Sequence, residues 1–104
     1  MCGLTGAINI DIEDNQLNSI LAKLNHRGPD DKGYFFSKNN NSSIFFVHNR
    51  LEILDISNGK QPMISNDGRY SLVYNGEIYN FTELRKKLEN LGYKFITDHS
   101  DTEV

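Results

Sequence analysis

Residues 33–47 read Gly33-Tyr34-Phe35-Phe36-Ser37-Lys38-Asn39-Asn40-Asn41-Ser42-Ser43-Ile44-Phe45-Phe46-Val47. Two runs of aromatic and β-branched residues flank a polar stretch of turn-forming residues, the pattern of an antiparallel hairpin. Working outward, Cys2-Gly3-Leu4-Thr5-Gly6-Ala7-Ile8-Asn9-Ile10 is a short apolar run with two glycines, which predicts a strand over 2–10 closely approached by another backbone. Leu17, Ile20, Leu21 and Leu24 recur at helical spacing behind an Asp14 cap, and Pro29 forbids continuation. Downstream, Leu51, Ile53, Leu54 and Ile56 stay apolar until Asn58-Gly59 and Gln61-Pro62-Met63 turn the chain. A second hairpin is predicted, with Arg69 to Tyr74 as one arm, Asn75-Gly76 as the turn and Glu77-Ile78-Tyr79 as the return. Asn80 with Glu83 forms a capping-box signature for a helix whose inward positions are Leu84, Leu88 and Leu91, with Gly92 at its exit. Tyr93 to Thr97 reads as one more strand, and Ser100-Asp101-Thr102-Glu103 as another helix start. Paired strands with helices between them predict an α+β layered fold in one domain. A chain ending where a helix should begin is expected to be a fragment.

Composition narrows the classes of function. The 104 residues are 38% hydrophobic, enough for a core but in a size range where domains are marginally stabilised. Eleven basic against fourteen acidic residues leave a net charge of −3, without the positive excess that nucleic-acid binding requires. The apolar runs are too short to span a bilayer and the amino terminus lacks signal-peptide character, so the expected location is cytoplasmic, with no membrane partner. One cysteine makes no internal disulfide, and it and the three histidines do not fall at metal-ligand spacing; the expectation is no metal and no cofactor in this chain. Asn40-Asn41-Ser42, Asn41-Ser42-Ser43 and Asn80-Phe81-Thr82 match the glycosylation sequon and are read as chance matches.

Removal of Met1 would place a thiol and a free α-amine on Cys2. An α-amine titrates at about 7.7–8.0, so it can take the thiol proton and later deliver it to a leaving amine. The alternative is a small buried cysteine opening a strand. Asn75-Gly76 offers a side-chain amide and a backbone N–H to a developing oxyanion, or simply a tight turn. Arg50, after an apolar strand, can clamp a carboxylate with two parallel hydrogen bonds, or lie on the surface. Glu77 and Asp101 can hold an ammonium group; otherwise Glu77 is solvated and Asp101 favours a helix's first turn. His26, His48 and His99 lack a neighbour suggesting a Cys-His pair and are read as structural.

Together, Cys2-Gly3, His26-Arg27-Gly28-Pro29-Asp30, Arg50-Leu51, Gln61-Pro62-Met63, Asn75-Gly76-Glu77-Ile78-Tyr79-Asn80 and Ser100-Asp101-Thr102-Glu103-Val104 resemble the amino-terminal glutaminase domain of glutamine-hydrolysing asparagine synthetases, a branch of the class II glutamine amidotransferases. The resemblance implies an N-terminal-nucleophile hydrolase fold, a layered αββα sandwich of antiparallel sheets. It implies Cys2 as nucleophile and base through its own α-amine, Asn75 and Gly76 as the oxyanion hole, Arg50 on the α-carboxylate of glutamine, and Glu77 and Asp101 on its α-ammonium. Residues 1–104 would be the amino-terminal portion of the glutaminase domain, with the rest of it and the ammonia-accepting synthetase domain absent, so the isolated chain is expected to be inactive. ATP and magnesium would belong to that synthetase domain, which makes asparagine from aspartate; a homodimer of the full-length enzyme is compatible with the resemblance. Two rival readings are the glutaminase domain of another class II amidotransferase and a non-catalytic module that binds glutamine as a regulator.

Overall fold

A computed structural model describes residues 1–53 and 58–104. In chain order the elements are β1 (Gly3–Ile8), α1 (Asp14–Leu24), β2 (Asp31–Lys38), β3 (Ser43–Arg50), β4 (Met63–Ile64), β5 (Ser71–Leu72) and α2 (Phe81–Asn90). The aromatic runs pair as the sequence predicts. Asn39 closes the hairpin: its N–H donates to the Ser42 carbonyl at 2.9 Å, and its side-chain oxygen accepts the N–H groups of Asn41 and Ser42, both at 2.9 Å. Phe35 faces Phe46, and the rings stack with centroids 6.3 Å apart. β1 adds on the other side of β3, with Gly3 opposite Asn49 and Ile8 opposite Ile44, so a three-stranded antiparallel sheet has β3 at its centre.

Side-chain alternation divides β3 into two faces. Phe45, Val47 and Asn49 share one face; Phe45 and Val47 are the buried apolar core, and the Asn49 side-chain amide donates to the Leu21 carbonyl of α1 at 3.1 Å. Phe46, His48 and Arg50 share the other, which carries the cavity described below. Gly3 has a packing reason on the helical face, because a Cβ there would press on Leu24. Gly33, paired with His48, has one on the opposite face: the Gln61 carbonyl sits where its Cβ would be. The Gln61–Pro62 peptide is cis.

Both helices lie where periodicity places them, with differences at their ends. Glu13 rather than Asp14 flanks α1, and the Gln16 side chain accepts the Glu13 N–H at 2.9 Å. Asn80 precedes α2, but its φ of −95° and ψ of 21° are already nearly helical; its side chain makes no cap bond and the expected capping box does not form. The Asn80 carbonyl instead takes the N–H groups of Glu83 and Leu84, both at 3.1 Å. Gly92 ends the helix with φ 92°, and Tyr93 N–H donates back to Leu88 at 3.1 Å. Leu91, expected inward, lies past the last turn and is 75% exposed.

The second hairpin is displaced from its expected position. β5 pairs backwards with β4, Met63 opposite Leu72, around a turn in which Gly68 has φ 70°. Asn75-Gly76 closes no hairpin, since neither residue adopts the positive φ that such a turn requires, and the Ile78 N–H goes to the Asp101 carboxylate at 2.9 Å rather than to a strand. Tyr93–Thr97 is not a strand, because Glu103 takes the N–H groups of Ile96 at 2.7 Å and Thr97 at 2.8 Å. The same bonds turn Glu103 back on the chain, so Ser100–Glu103 does not start a helix. Leu54 and Ile56 of the apolar run lie outside the described residues. Among the described residues no helix is long and apolar enough to cross a membrane.

Two outcomes follow from this packing. Gly33→Ala forces a methyl against the Gln61 backbone, and denaturation should show a loss of about 1–3 kcal/mol. His48 has no exposed surface, and burial lowers the pKa of its imidazole; Arg50 adds to the lowering, while the Tyr74 carbonyl and Asp31 oppose it. The unfolded chain then binds this proton more tightly than the folded one, so stability is lost as pH falls below about 6.5. For Glu103, burial opposes ionisation, but hydrogen bonds from Ile96 and Thr97 and the charge of Arg85 outweigh it and hold the carboxyl below 4.5. Its contribution is lost only at lower pH. Tm measured against pH should therefore fall in two stages, and His48→Gln should flatten the upper one.

Candidate active site

The register of β1 against β3 decides where the site forms. Gly3 pairs with Asn49 on the helical face, so Cys2, one residue out, reaches the end of β3 on the Arg50 face. The Cys2 sulfur accepts the Leu51 N–H at 3.3 Å and lies 3.7 Å from the Leu51 carbonyl. Its peptide is held as well, the Arg27 Nε–H donating to the Cys2 carbonyl at 3.1 Å.

Residues 26–30 act as a brace at this end of the sheet. Gly28 abuts the Asn49 and Arg50 backbone, leaving no space for a Cβ. The Asp30 N–H donates to the Arg50 carbonyl at 3.1 Å, and the Asp30 carboxylate accepts the Glu52 N–H at 2.9 Å. The Arg50 guanidinium is buried, with the Glu52 carboxylate 3.5 Å away.

A cavity of about 280 Å³ opens here, and Cys2, Arg50, Asn75, Gly76, Glu77 and Asp101 all line it. Every site residue expected from the sequence is thereby brought to one place from four separated segments. Asn75, Gly76 and Glu77 lie on the exposed side, whereas Asp101 is buried. One Asp101 oxygen is committed to the Ile78 N–H, which ties the end of the chain to the segment after Gly76. Asp101 is placed in turn by a clamp from α2: Arg85 donates to the Thr97 carbonyl at 2.8 Å and approaches Glu103 at 3.9 Å, stacking over Phe95 with 4.2 Å to the ring centroid. Met1 also lines the cavity, amide-linked to Cys2.

Sequence reasoning missed the residues that hold the site together. Arg27 and Asp30 entered only as parts of a motif, yet they fix the Cys2 and Arg50 backbones. Gln61 and His48 grip Tyr74: the Gln61 side-chain oxygen accepts the Tyr74 N–H at 2.6 Å, and His48 Nε2 lies 3.1 Å from the Tyr74 carbonyl. Their available signals were a Gly-Pro pair directly after a helix and a polar triplet, His48-Asn49-Arg50, ending an apolar strand. His26 is exposed, its Nδ1 2.9 Å from the Lys23 carbonyl, and His99 is exposed. Among the described residues no group of three or more His, Cys, Asp or Glu side chains could hold a metal ion.

In chemical terms the cavity joins a thiol, an amide and a backbone N–H, a guanidinium and two carboxylates. Comparison with known proteins gives this set a context. The sequence model of a family described as a glutamine amidotransferase domain matches residues 1–104. Asparagine synthetase [glutamine-hydrolyzing] 1 of Bacillus subtilis (strain 168) is 43% identical over 113 residues, covering 100% of this chain and 17% of the relative. The probable asparagine synthetase [glutamine-hydrolyzing] of Schizosaccharomyces pombe is 41% identical over 108 residues, covering 100% and 18%. Asparagine synthetase [glutamine-hydrolyzing] 1 of Arabidopsis thaliana is 37% identical over 109 residues, covering 100% and 17%. The chain thus spans less than a fifth of the length of these relatives, and no solved structure matches it. With the family match running through every residue that lines the cavity, the chain belongs to the glutamine amidotransferase domain family.

Proposed function

We propose that the cavity hydrolyses the side-chain amide of glutamine through a Cys2 thioester. The observation that carries this is the convergence of Cys2, Arg50, Asn75, Gly76, Glu77 and Asp101 on one cavity, in a chain of the glutamine amidotransferase domain family. Arg50 takes the substrate α-carboxylate, and Glu77 and Asp101 take the α-ammonium, leaving the amide to reach the thiol.

The Cys2 sulfur attacks the amide carbon, and its proton passes to the Cys2 α-amine. Asn75, by its side-chain amide, and Gly76, by its backbone N–H, receive the oxyanion. Collapse breaks the C–N bond, and the α-ammonium returns the proton so that ammonia leaves. Water then attacks the thioester, releasing glutamate and the thiol. An amide nitrogen is not a base, so this sequence requires that Met1 be removed.

The relatives are named as glutamine-hydrolysing asparagine synthetases, and we carry the same use of ammonia to this protein. The ammonia would serve asparagine synthesis from aspartate and ATP in a longer, cytoplasmic enzyme, with ATP and magnesium handled by a synthetase domain and the enzyme able to act as a homodimer. The finer architecture we propose is the layered αββα sandwich of N-terminal-nucleophile hydrolases, which the antiparallel pairing and the packing of α1 against β3 support.

Kinetics of the enzyme separate the roles. Cys2→Ala should abolish ammonia release from glutamine, and persistent turnover would remove Cys2 as nucleophile. Asn75→Ala should lower kcat by roughly a hundredfold or more, whereas Arg50→Ala should mainly raise KM for glutamine. Binding of glutamine without any ammonia release by the Met1-processed protein would favour a regulatory module instead.

A further inference from the structure

His48 occupies an expensive position. It has no exposed surface, its Nδ1 has no hydrogen-bond partner among the described residues, and an apolar residue of similar volume would avoid both costs. The bond it makes through Nε2 is directed: its partner is the Tyr74 carbonyl at 3.1 Å, which can only accept, so the proton sits on Nε2. Burial, reinforced by Arg50, lowers the pKa of the ring and so favours its neutral form.

Tyr74 is gripped from its other side too, its N–H donating to the Gln61 side chain at 2.6 Å. Gln61 is itself seated against the sheet, its backbone carbonyl lying in the notch that Gly33 leaves, and Gly33 is the β2 partner of His48. The four residues close a ring: His48 pairs with Gly33, Gly33 seats Gln61, and Gln61 and His48 hold both peptides of Tyr74. The Tyr74 carbonyl belongs to the peptide plane that runs through the Asn75 nitrogen to its Cα, so fixing it fixes the point from which the Asn75 side chain leaves the backbone. Tyr74 also bounds Gly76, whose absent Cβ would meet the Tyr74 ring.

We infer that His48 is a positioning residue for the oxyanion donors, holding the Tyr74–Asn75 peptide so that the Asn75 side chain and the Gly76 N–H are preorganised beside Cys2. Gln61 is its counterpart on the preceding peptide. The inference rests on the glutaminase reading and assigns these two residues a role in kcat rather than in substrate affinity, because preorganised donors act on charge that develops only in the transition state.

The test uses the glutamine-hydrolysing enzyme, with two substitutions at His48 and two readouts. His48→Leu keeps the volume and removes the donor; His48→Gln keeps an N–H near the position of Nε2. His48→Leu should lower kcat for glutamine tenfold or more while KM stays within threefold, and His48→Gln should restore kcat to within threefold of the parent. Amide exchange of the peptide covering residues 73–76 should quicken at least tenfold in His48→Leu, with β1–β3 exchange unaltered. The inference is overturned if folded His48→Leu keeps its kcat and its exchange pattern, if KM alone changes, or if His48→Gln is as impaired as His48→Leu. The exchange measurement decides whether His48 holds this segment even if the parent releases no ammonia, an outcome that would sink the glutaminase reading instead.

Discussion

The antiparallel pairing of β3 with both of its neighbours is the constraint on which the rest of the molecule depends. A strand flanked on both sides has its register fixed twice, and a slip of one residue would exchange its two faces. In the register adopted, Phe45 and Val47 face the core side and Asn49 reaches α1, while His48 and Arg50 share the opposite face, where Arg50 lines the cavity. The same register carries Cys2 to the end of β3, so Cys2 and Arg50 line one cavity although 48 positions separate them in sequence. The core that secures this arrangement is small. Neither helix contains a fully buried residue, and much of the burial at the working end of the sheet belongs to polar groups.

Burying His48, Asn49 and Arg50 in succession makes that end of the sheet sensitive to hydrogen bonding. An unsatisfied buried polar group costs about 1–3 kcal/mol, so each directed bond there also selects against alternative arrangements. The bonds converge on backbone: Asn49 on Leu21, His48 on Tyr74, Arg27 on Cys2 and Asp30 on Glu52. Backbone-directed bonds fix where a chain segment runs without consuming the functional side chains, and so leave Cys2, Asn75 and Glu77 facing the cavity.

This division also explains what the sequence revealed. The β2–β3 hairpin and both helices were legible because their signals are local: a side chain bonding two residues on at Asn39, apolar spacing along α1, a glycine at the end of α2. The segments misjudged were those whose backbone is claimed from a distance. Tyr93–Thr97 has a strand's composition, but the Glu103 carboxylate takes its N–H groups before any strand can. Asn75-Gly76 carries the strongest short hairpin signal, yet Asp101 captures Ile78 and denies the return strand its ladder. In both places an acid from the last residues outcompetes local propensity. The six candidate residues were legible because five of them have side chains with functional chemistry of their own and Gly76 follows Asn75 directly; the residues supporting them were not, because Arg27, His48 and Gln61 matter through which carbonyl or N–H they reach, and that is known only in three dimensions.

The charges around the cavity follow from the same construction. A buried guanidinium at the end of β3 would accept almost any carboxylate, so Arg50 alone distinguishes little. Glu77 and Asp101 arrive from other segments, and the bond to Ile78 and the Arg85–Glu103 clamp help position Asp101. On the proposed reading the pairing of one cation with two anions selects an α-amino acid by both ends of its backbone. A dicarboxylate without an ammonium group would meet uncompensated negative charge, and a simple amine would bring no carboxylate to Arg50. Recognition of the invariant end of the substrate is thereby separated from chemistry on the variable end, where the thiol lies. The substrate's length then decides whether its amide reaches Cys2, so selection among amino acids becomes a matter of distance across the cavity rather than of further charge.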